Sequence, residues 1–191
     1  MAAPPLRSIF SLERILCGIG KRVPVPAIQR LAWDREFNSG YWAERLHGYP
    51  KCLTLILENV PPGSSLIDLA CGDGVMARHV FERGWTGKYI GFDLSDAALQ
   101  QARELCPLAD WRIGNITDPL PFTPDALLLI ECIYYVSVEA ARKTVEHANA
   151  RFTLCRIWNR RKHAEHADML LGLGFQEQPA GEIGAAFYRV R

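Results

Sequence analysis

The sequence predicts a doubly wound α/β domain, with a parallel sheet and helices on both of its faces. Three observations carry that expectation. Short apolar runs alternate with helix-length segments from residue 64 to the end of the chain. One run, Ala126-Leu127-Leu128-Leu129-Ile130, is apolar throughout, as a strand covered on both faces requires. A third run, Ser65-Leu66-Ile67-Asp68-Leu69, passes through closely spaced glycines straight into a helical segment, giving the order strand, tight turn, helix.

Taken in order, the first 33 residues are mixed. Ile9, Leu12, Ile15 and Leu16 share one helix face, and Val23-Pro24-Val25-Pro26 breaks any helix there. Residues 1–40 read as a cap or strap over the sheet, or as a lid or partner-binding arm, and residues 41–191 as the main domain. Leu46 to Asn59 forms a helix stopped by Pro61-Pro62-Gly63. After the strand at Leu66 come a helix over Val75–Arg83, a strand over Tyr89–Asp93, and a helix from Ser95 to Leu105 with Ser95 as N-cap. Trp111–Ile116 is a third strand with its loop, and Ala126–Ile130 a fourth strand. Val138–Asn149 is helical, Phe152–Trp158 a strand, and Ala164–Leu173 a helix stopped by Gly174. Phe175–Glu177 and Ala185–Val190 form a closing pair of strands.

The chemistry is concentrated in Asp68-Leu69-Ala70-Cys71-Gly72-Asp73-Gly74. Glycines let a ligand approach the backbone, and the helix that follows offers free N–H groups. A second acidic strand end, Asp93, lies 21 residues beyond Gly72, and a carboxylate there suits the two hydroxyls of a ribose. Two cofactor families use such a layout. Gly72-Asp73-Gly74-Val75-Met76-Ala77 satisfies the G-x-G-x-x-G/A form of NAD(P)-binding oxidoreductases. The segment resembles more closely the D-x-G-x-G-x-G motif of class I S-adenosylmethionine (SAM) methyltransferases, with Ala70 in place of the first glycine. A carboxylate at Asp68 has a role beside the ammonium of SAM, whereas it would repel a pyrophosphate.

The resemblance implies a Rossmann-like sheet, mostly parallel, whose last strand runs antiparallel. It also implies that SAM is held by Tyr41, Asp68, Ala70, Cys71, Gly72, Gly74, Asp93, Leu94, Asn115, Ile116 and Glu131. Asn115 stands where the family usually has an Asp that accepts from the adenine amino group, and its amide oxygen accepts the same bond. Tyr41 is expected to turn its hydroxyl toward the methionine carboxylate with Trp42 as a wall, unless both simply pack on the core. Glu131-Cys132-Ile133-Tyr134-Tyr135 is similar to the E-x-x-Y-Y form of small-molecule N-methyltransferases of the nodulation type.

Methyl transfer from a sulfonium needs an in-line nucleophile and exclusion of water, and a base only where the acceptor is protonated. Glu131, Tyr134 and Tyr135 are the catalytic candidates at a strand's carboxyl end, with His47 a further one. Glu131 either accepts from a substrate amine or has a structural role. One of the two tyrosines faces the pocket, since neighbours on an extended chain point apart. His79 reads as a surface or packing residue, and His163 with His166 lacks a third metal ligand, so no metal is expected.

Absent motifs narrow the acceptor. No D-P-P-Y or N-P-P-Y, paired-glutamate loop or Pro-Cys follows the fourth strand, which disfavours adenine N6, glutamine amide, arginine and cytosine C5 as targets. The expected function is therefore methyl transfer to O or N of a small molecule; the alternatives are a non-catalytic SAM-binding or scaffold protein with the same fold, or an NAD(P)-binding oxidoreductase. With 22 basic and 21 acidic residues, no nucleic-acid footprint is visible. Six dispersed cysteines read as reduced thiols rather than disulfides or a zinc site. No apolar run spans a membrane and no signal peptide is evident, so a cytoplasmic monomer or homodimer is expected.

Overall fold

The computed structural model describes residues 18–23, 25–42 and 50–191. His47 and the apolar face around Leu12 lie outside the described residues, as does the start of the helix expected from Leu46. Helices within the described residues are α1 (Pro26–Asn38), α2 (Pro50–Asn59), α3 (Val75–Glu82), α4 (Asp96–Leu105), α5 (Val138–Ala148) and α6 (Ala164–Gly172). Strands are β1 (Leu66–Leu69), β2 (Tyr89–Asp93), β3 (Asp110–Ile113), β4 (Ala126–Ile130), β5 (Phe152–Ile157), β6 (Gln176–Pro179) and β7 (Ala185–Val190).

Among the described residues these strands form one sheet in the order β3-β2-β1-β4-β5-β7-β6. β1 to β5 are parallel, while β7 runs antiparallel to both β5 and β6. The strand order reverses between β1 and β4, and open α/β sheets place their ligand crevice at that reversal. Pro179, which cannot donate to a ladder, sits in the edge strand β6.

Alternation along the central strands sends apolar side chains to both faces. Leu66, Leu128 and Leu154 pack with Ile56 of α2, Val80 of α3 and Leu99 of α4. Ile67, Leu127 and Leu129 pack on the opposite face with Val145 of α5 and Leu170 of α6. The wholly apolar β4 is thus buried from both sides, as its composition predicts.

Helix α1 begins with Pro26 at its first turn, so the Pro-rich stretch that breaks one helix starts another. Its inner side is tied to α4. Asp34 accepts from the Ser95 hydroxyl at 2.7 Å and from the Ala97 N–H at 3.1 Å, while Gln101 donates to the Phe37 carbonyl at 3.2 Å. Arg30 pairs with Asp96. Ser95 itself caps α4, accepting from the Ala98 N–H at 3.1 Å. Asp34→Ala would strand a buried hydroxyl and an N–H at a helix start. We expect it to lower stability by about 1–2 kcal/mol, read from denaturant midpoints. Because Phe37 is itself buried, cutting the chain at residue 40 would remove core contacts together with any cap.

Candidate active site

A cleft opens at the carboxyl ends of β1, β2 and β4. Its floor is the turn after β1. Ala70 (φ +57°) and Gly72 (φ +57°) both adopt the left-handed conformation that glycine takes without strain. Ala70 keeps the required shape despite its Cβ, so the departure from the family's motif leaves the turn intact. A Cβ built on Gly72 would reach van der Waals contact with Phe37 Cζ at 3.4 Å, so it is the positive φ rather than the space that favours glycine there. Glu131, the first residue after β4, is left-handed as well (φ +57°). Two non-glycine residues in this region, at adjacent strand ends, mark a site over-determined by its surroundings.

Two of the acids lining the cleft are buried. Asp68 on β1 is 2% exposed and accepts from the Tyr89 hydroxyl at 2.6 Å. Burial pushes its carboxyl up to about 7, against the Tyr89 hydrogen bond and with help from the neighbouring charge of Asp93. Asp93 accepts from the N–H groups of Gly72 and Ser95, each at 2.9 Å. Burial raises it to about 6, the backbone donors only partly offsetting that cost. Each carboxylate has lone pairs left for a ligand. Among the described residues no cation pairs with Asp68 or Asp93. A buried carboxylate without a counter-charge suits a cationic ligand and disfavours a pyrophosphate.

Aromatic rings close the cleft. Trp33 and Phe37 come from α1, Trp42 from the segment after it, and Tyr135 from the end of β4. Phe37 and Trp42 stack at 6.0 Å between centroids, and Trp33 meets Tyr135 edge-on at 5.0 Å. Val75, Met76 and Ile116 add apolar lining.

Asp68, Ala70, Cys71, Gly72, Asp93, Leu94, Ile116 and Glu131 all line the cleft. Gly74 lies one step behind it, at the start of α3 with φ +80°, and Trp111 occupies the space a Cβ there would need. Asn115 is not among the lining residues. Its N–H donates to Asp118 at 2.7 Å, and its side-chain oxygen accepts from Thr117 at 3.4 Å. Tyr41 stands in a neighbouring basin, edge-on to Trp42 at 5.4 Å, so Trp42 rather than Tyr41 borders the cleft.

That basin has a volume of about 600 Å³ and shares Trp42, Glu131 and Tyr135 with the cleft. Ile133–Tyr135 forms a 3-10 turn instead of extended chain. The expectation that the two tyrosines point to opposite faces therefore does not apply. Glu131 turns the backbone left-handed and the Tyr135 N–H closes on the Cys132 carbonyl at 3.0 Å. Tyr135 borders both cavities, and Tyr134 borders the basin alone. Burial raises the Tyr135 hydroxyl to about 12, so it is a neutral phenol at working pH. Glu131 forms a half-buried ion pair with Arg156, whose other guanidinium nitrogen donates to the Ala180 carbonyl at 3.0 Å.

Elsewhere, His166 meets the Val136 carbonyl at 3.0 Å and His79 meets Glu82 at 3.2 Å. Among the described residues no group of three or more His, Cys, Asp or Glu is placed to hold a metal. Cys52, Cys71, Cys106, Cys132 and Cys155 are buried free thiols. No helix among the described residues is long and apolar enough to cross a membrane.

The fold and cleft define a Rossmann-like α/β domain with two buried carboxylates at its ligand crevice. Residues 66–153 match the family model of a methyltransferase domain. No curated protein matches the sequence. Among solved structures the chain is similar to a magnesium protoporphyrin IX methyltransferase from Synechocystis with bound SAM, at 15% identity and TM-score 0.62 over 97% of this chain and 100% of that one. It is similar to an O-methyltransferase family 2 protein from Planctomyces limnophilus in complex with apigenin, at 17% identity and TM-score 0.62 over 87% of this chain and 64% of that one. A TehB-like SAM-dependent methyltransferase from Corynebacterium glutamicum aligns at 15% identity and TM-score 0.61 over 81% of this chain and 98% of that one. These likenesses establish the shared fold. Residues 66–153 thus carry the methyltransferase-domain pattern, on a Rossmann-like fold shared with these methyltransferases.

Proposed function

We propose that the chain moves the SAM methyl group to an oxygen or nitrogen of a small-molecule acceptor seated in the basin. The observation that carries this reading is the shared wall. Trp42, Glu131 and Tyr135 border both cavities, so a methyl presented from the cleft faces the basin across them. A volume of about 600 Å³ accommodates a small organic molecule.

When bound, SAM supplies an electrophilic methyl on a positive sulfur. Asp68 would hold its ammonium, Asp93 its ribose hydroxyls, and the backbone from Ala70 to Gly72 the chain between them. Tyr41 and Asn115 would reach the cofactor only by turning away from their present neighbours. The rings of Trp33, Phe37 and Trp42 exclude water, which keeps the acceptor as the available nucleophile. Glu131 would take the acceptor's proton where one must leave, with Arg156 fixing its carboxylate in place. As a neutral phenol, Tyr135 would orient the nucleophile by hydrogen bonding rather than act as a base.

The reading is tested by following S-adenosylhomocysteine (SAH) release from SAM with panels of small phenols and amines. Acceptor-dependent release is expected. Tyr135→Phe keeps the ring against Trp33 and removes the hydroxyl; it should lower kcat about tenfold while leaving SAH affinity within about twofold. Tight SAM binding without transfer to any member of either panel would instead indicate a non-catalytic SAM-binding protein.

A further inference from the structure

We propose that the basin selects a planar aromatic acceptor carrying an anionic group, which stacks beside Trp158 and Tyr134 and places its negative charge between Arg22 and Lys162. This inference deepens the methyltransferase reading and rests on it for the identity of the occupant as acceptor.

The walls supply the planar part. Tyr134 and His163 stack at 4.1 Å with only 11° between their planes, and Trp158 lies 6.5 Å from His163. Trp158 is 39% exposed at the basin's edge, and Ile183 beside the basin is 55% exposed. Together with the Tyr134 ring, these exposed apolar side chains offer a flat apolar ligand a surface to pack on.

The charges supply the anionic part. Two of the basin's four cations are answered within it: Lys21 pairs with Glu36, and Arg156 with Glu131. Arg22 and Lys162 meet no carboxylate among the described residues. Arg22 donates to the Gly18 carbonyl at 3.4 Å, and the Lys162 ammonium sits 5.6 Å from the Trp158 ring centroid. Both lower the proton affinity of the His163 ring, after burial as the larger cause. The ring nitrogen His163 Nε2 is buried and has no hydrogen-bond partner among the described residues. A carboxylate or phenolate beside it would answer that orphaned group and both cations together. Glu182 is the remaining acid of the basin and is exposed to solvent, where its repulsion is screened.

Neither Arg22 nor Lys162 lines the cofactor cleft, so the two cations are placed for the acceptor rather than for the methionine carboxylate. The probes are 2-naphthoate and its neutral near-isostere 2-naphthamide, each titrated by calorimetry into the wild-type protein with and without saturating SAH. Naphthoate is expected to bind about tenfold or more tightly than naphthamide, and the preference to vanish in an Arg22→Gln/Lys162→Gln double variant whose SAH affinity is unchanged. Trp158→Ala should weaken both probes alike. Equal binding of the two probes, or no binding of naphthoate, would overturn the proposal. So would loss of SAH affinity in the double variant, since the cations would then belong to the cofactor. If the wild type fails to bind SAH, the methyltransferase reading falls, while the titration without SAH still decides whether the basin prefers an anion.

Discussion

Asp68→Asn should weaken SAH binding roughly tenfold to a hundredfold, about 1.5–3 kcal/mol, because a charge-assisted hydrogen bond to the ligand ammonium is lost from a buried site. The substitution keeps the side chain's shape and its acceptor for the Tyr89 hydroxyl, so the fold should survive it. The wild-type protein should show the same dependence through pH. With its carboxyl raised to about 7, Asp68 is protonated in the unliganded protein below that value. Binding a cation then requires expelling a proton, and SAH affinity should fall by about tenfold for each unit of pH below 7. Calorimetry in buffers of different ionisation enthalpy should detect about one proton released per SAH at pH 6 and almost none at pH 8. Flat affinity from pH 5.5 to 8 would remove Asp68 from the ligand's surroundings.

The linked effect on stability has the opposite sign. Asp68 and Asp93 are raised from 3.8 to about 7 and about 6, so the folded chain holds protons that the unfolded chain has already lost. Their favourable contribution is present below about pH 4 and is lost as the pH rises through 6 and 7. The unliganded protein should therefore gain less from SAH at pH 5, where the acids are neutral, than at pH 8, where the ligand supplies the missing positive charge. Thermal unfolding with and without SAH at the two pH values measures this.

Gly91→Ala should be the most damaging single methyl in the sheet. Gly91 lies in β2 directly opposite Trp111 of β3. The indole folds back over its strand partner, held by its N–H to the Cys106 carbonyl at 3.0 Å. A Cβ at Gly91 would stand 2.3 Å from Trp111 Cζ3 and 2.8 Å from the Cys71 sulfur. Neither can retreat: Trp111 also presses on Gly74 at the start of α3, and Cys71 belongs to the cleft's floor. Overpacking of this kind costs about 1–3 kcal/mol, a drop of roughly 3–10 °C in Tm for a chain of this size. Because the strain falls on the turn proposed to seat the cofactor, SAH affinity should fall as well. A variant with unaltered Tm would show that Trp111 has room to move.

Much of the fold was legible because its signals are local. The apolar run of β4, the glycine-spaced turn after β1 and the Ser95 cap each depend on neighbours a few residues away. The antiparallel β7 came from the family resemblance, since alternation of strands and helices carries no strand direction. Helix α1 is hard to read from the sequence because it buries only Ala32 and Phe37 and shows little periodicity. Its hold on the domain runs through Asp34 and Ser95, 61 residues apart. The Glu131–Arg156 pair was equally invisible. It exists because β4 and β5 lie side by side with Ile130 opposite Arg156, a register no sequence pattern records. The shape after Glu131 misled for a different reason: a left-handed non-glycine residue is rare enough that extended chain was the natural expectation. Besides Trp42, Trp33 and Phe37, four residues apart on α1, carried a further hint of an aromatic cover.

The central claim is that the bend after β1 seats SAM between two buried acids with its sulfur toward the basin. A crystal structure of the SAH complex tests it most directly. The account predicts the ammonium within hydrogen-bond distance of Asp68, the ribose hydroxyls on Asp93, and the sulfur facing the wall formed by Glu131 and Tyr135. An adenosyl group bound elsewhere, or one seated in the cleft with its amino-acid tail turned away from Asp68, would contradict it.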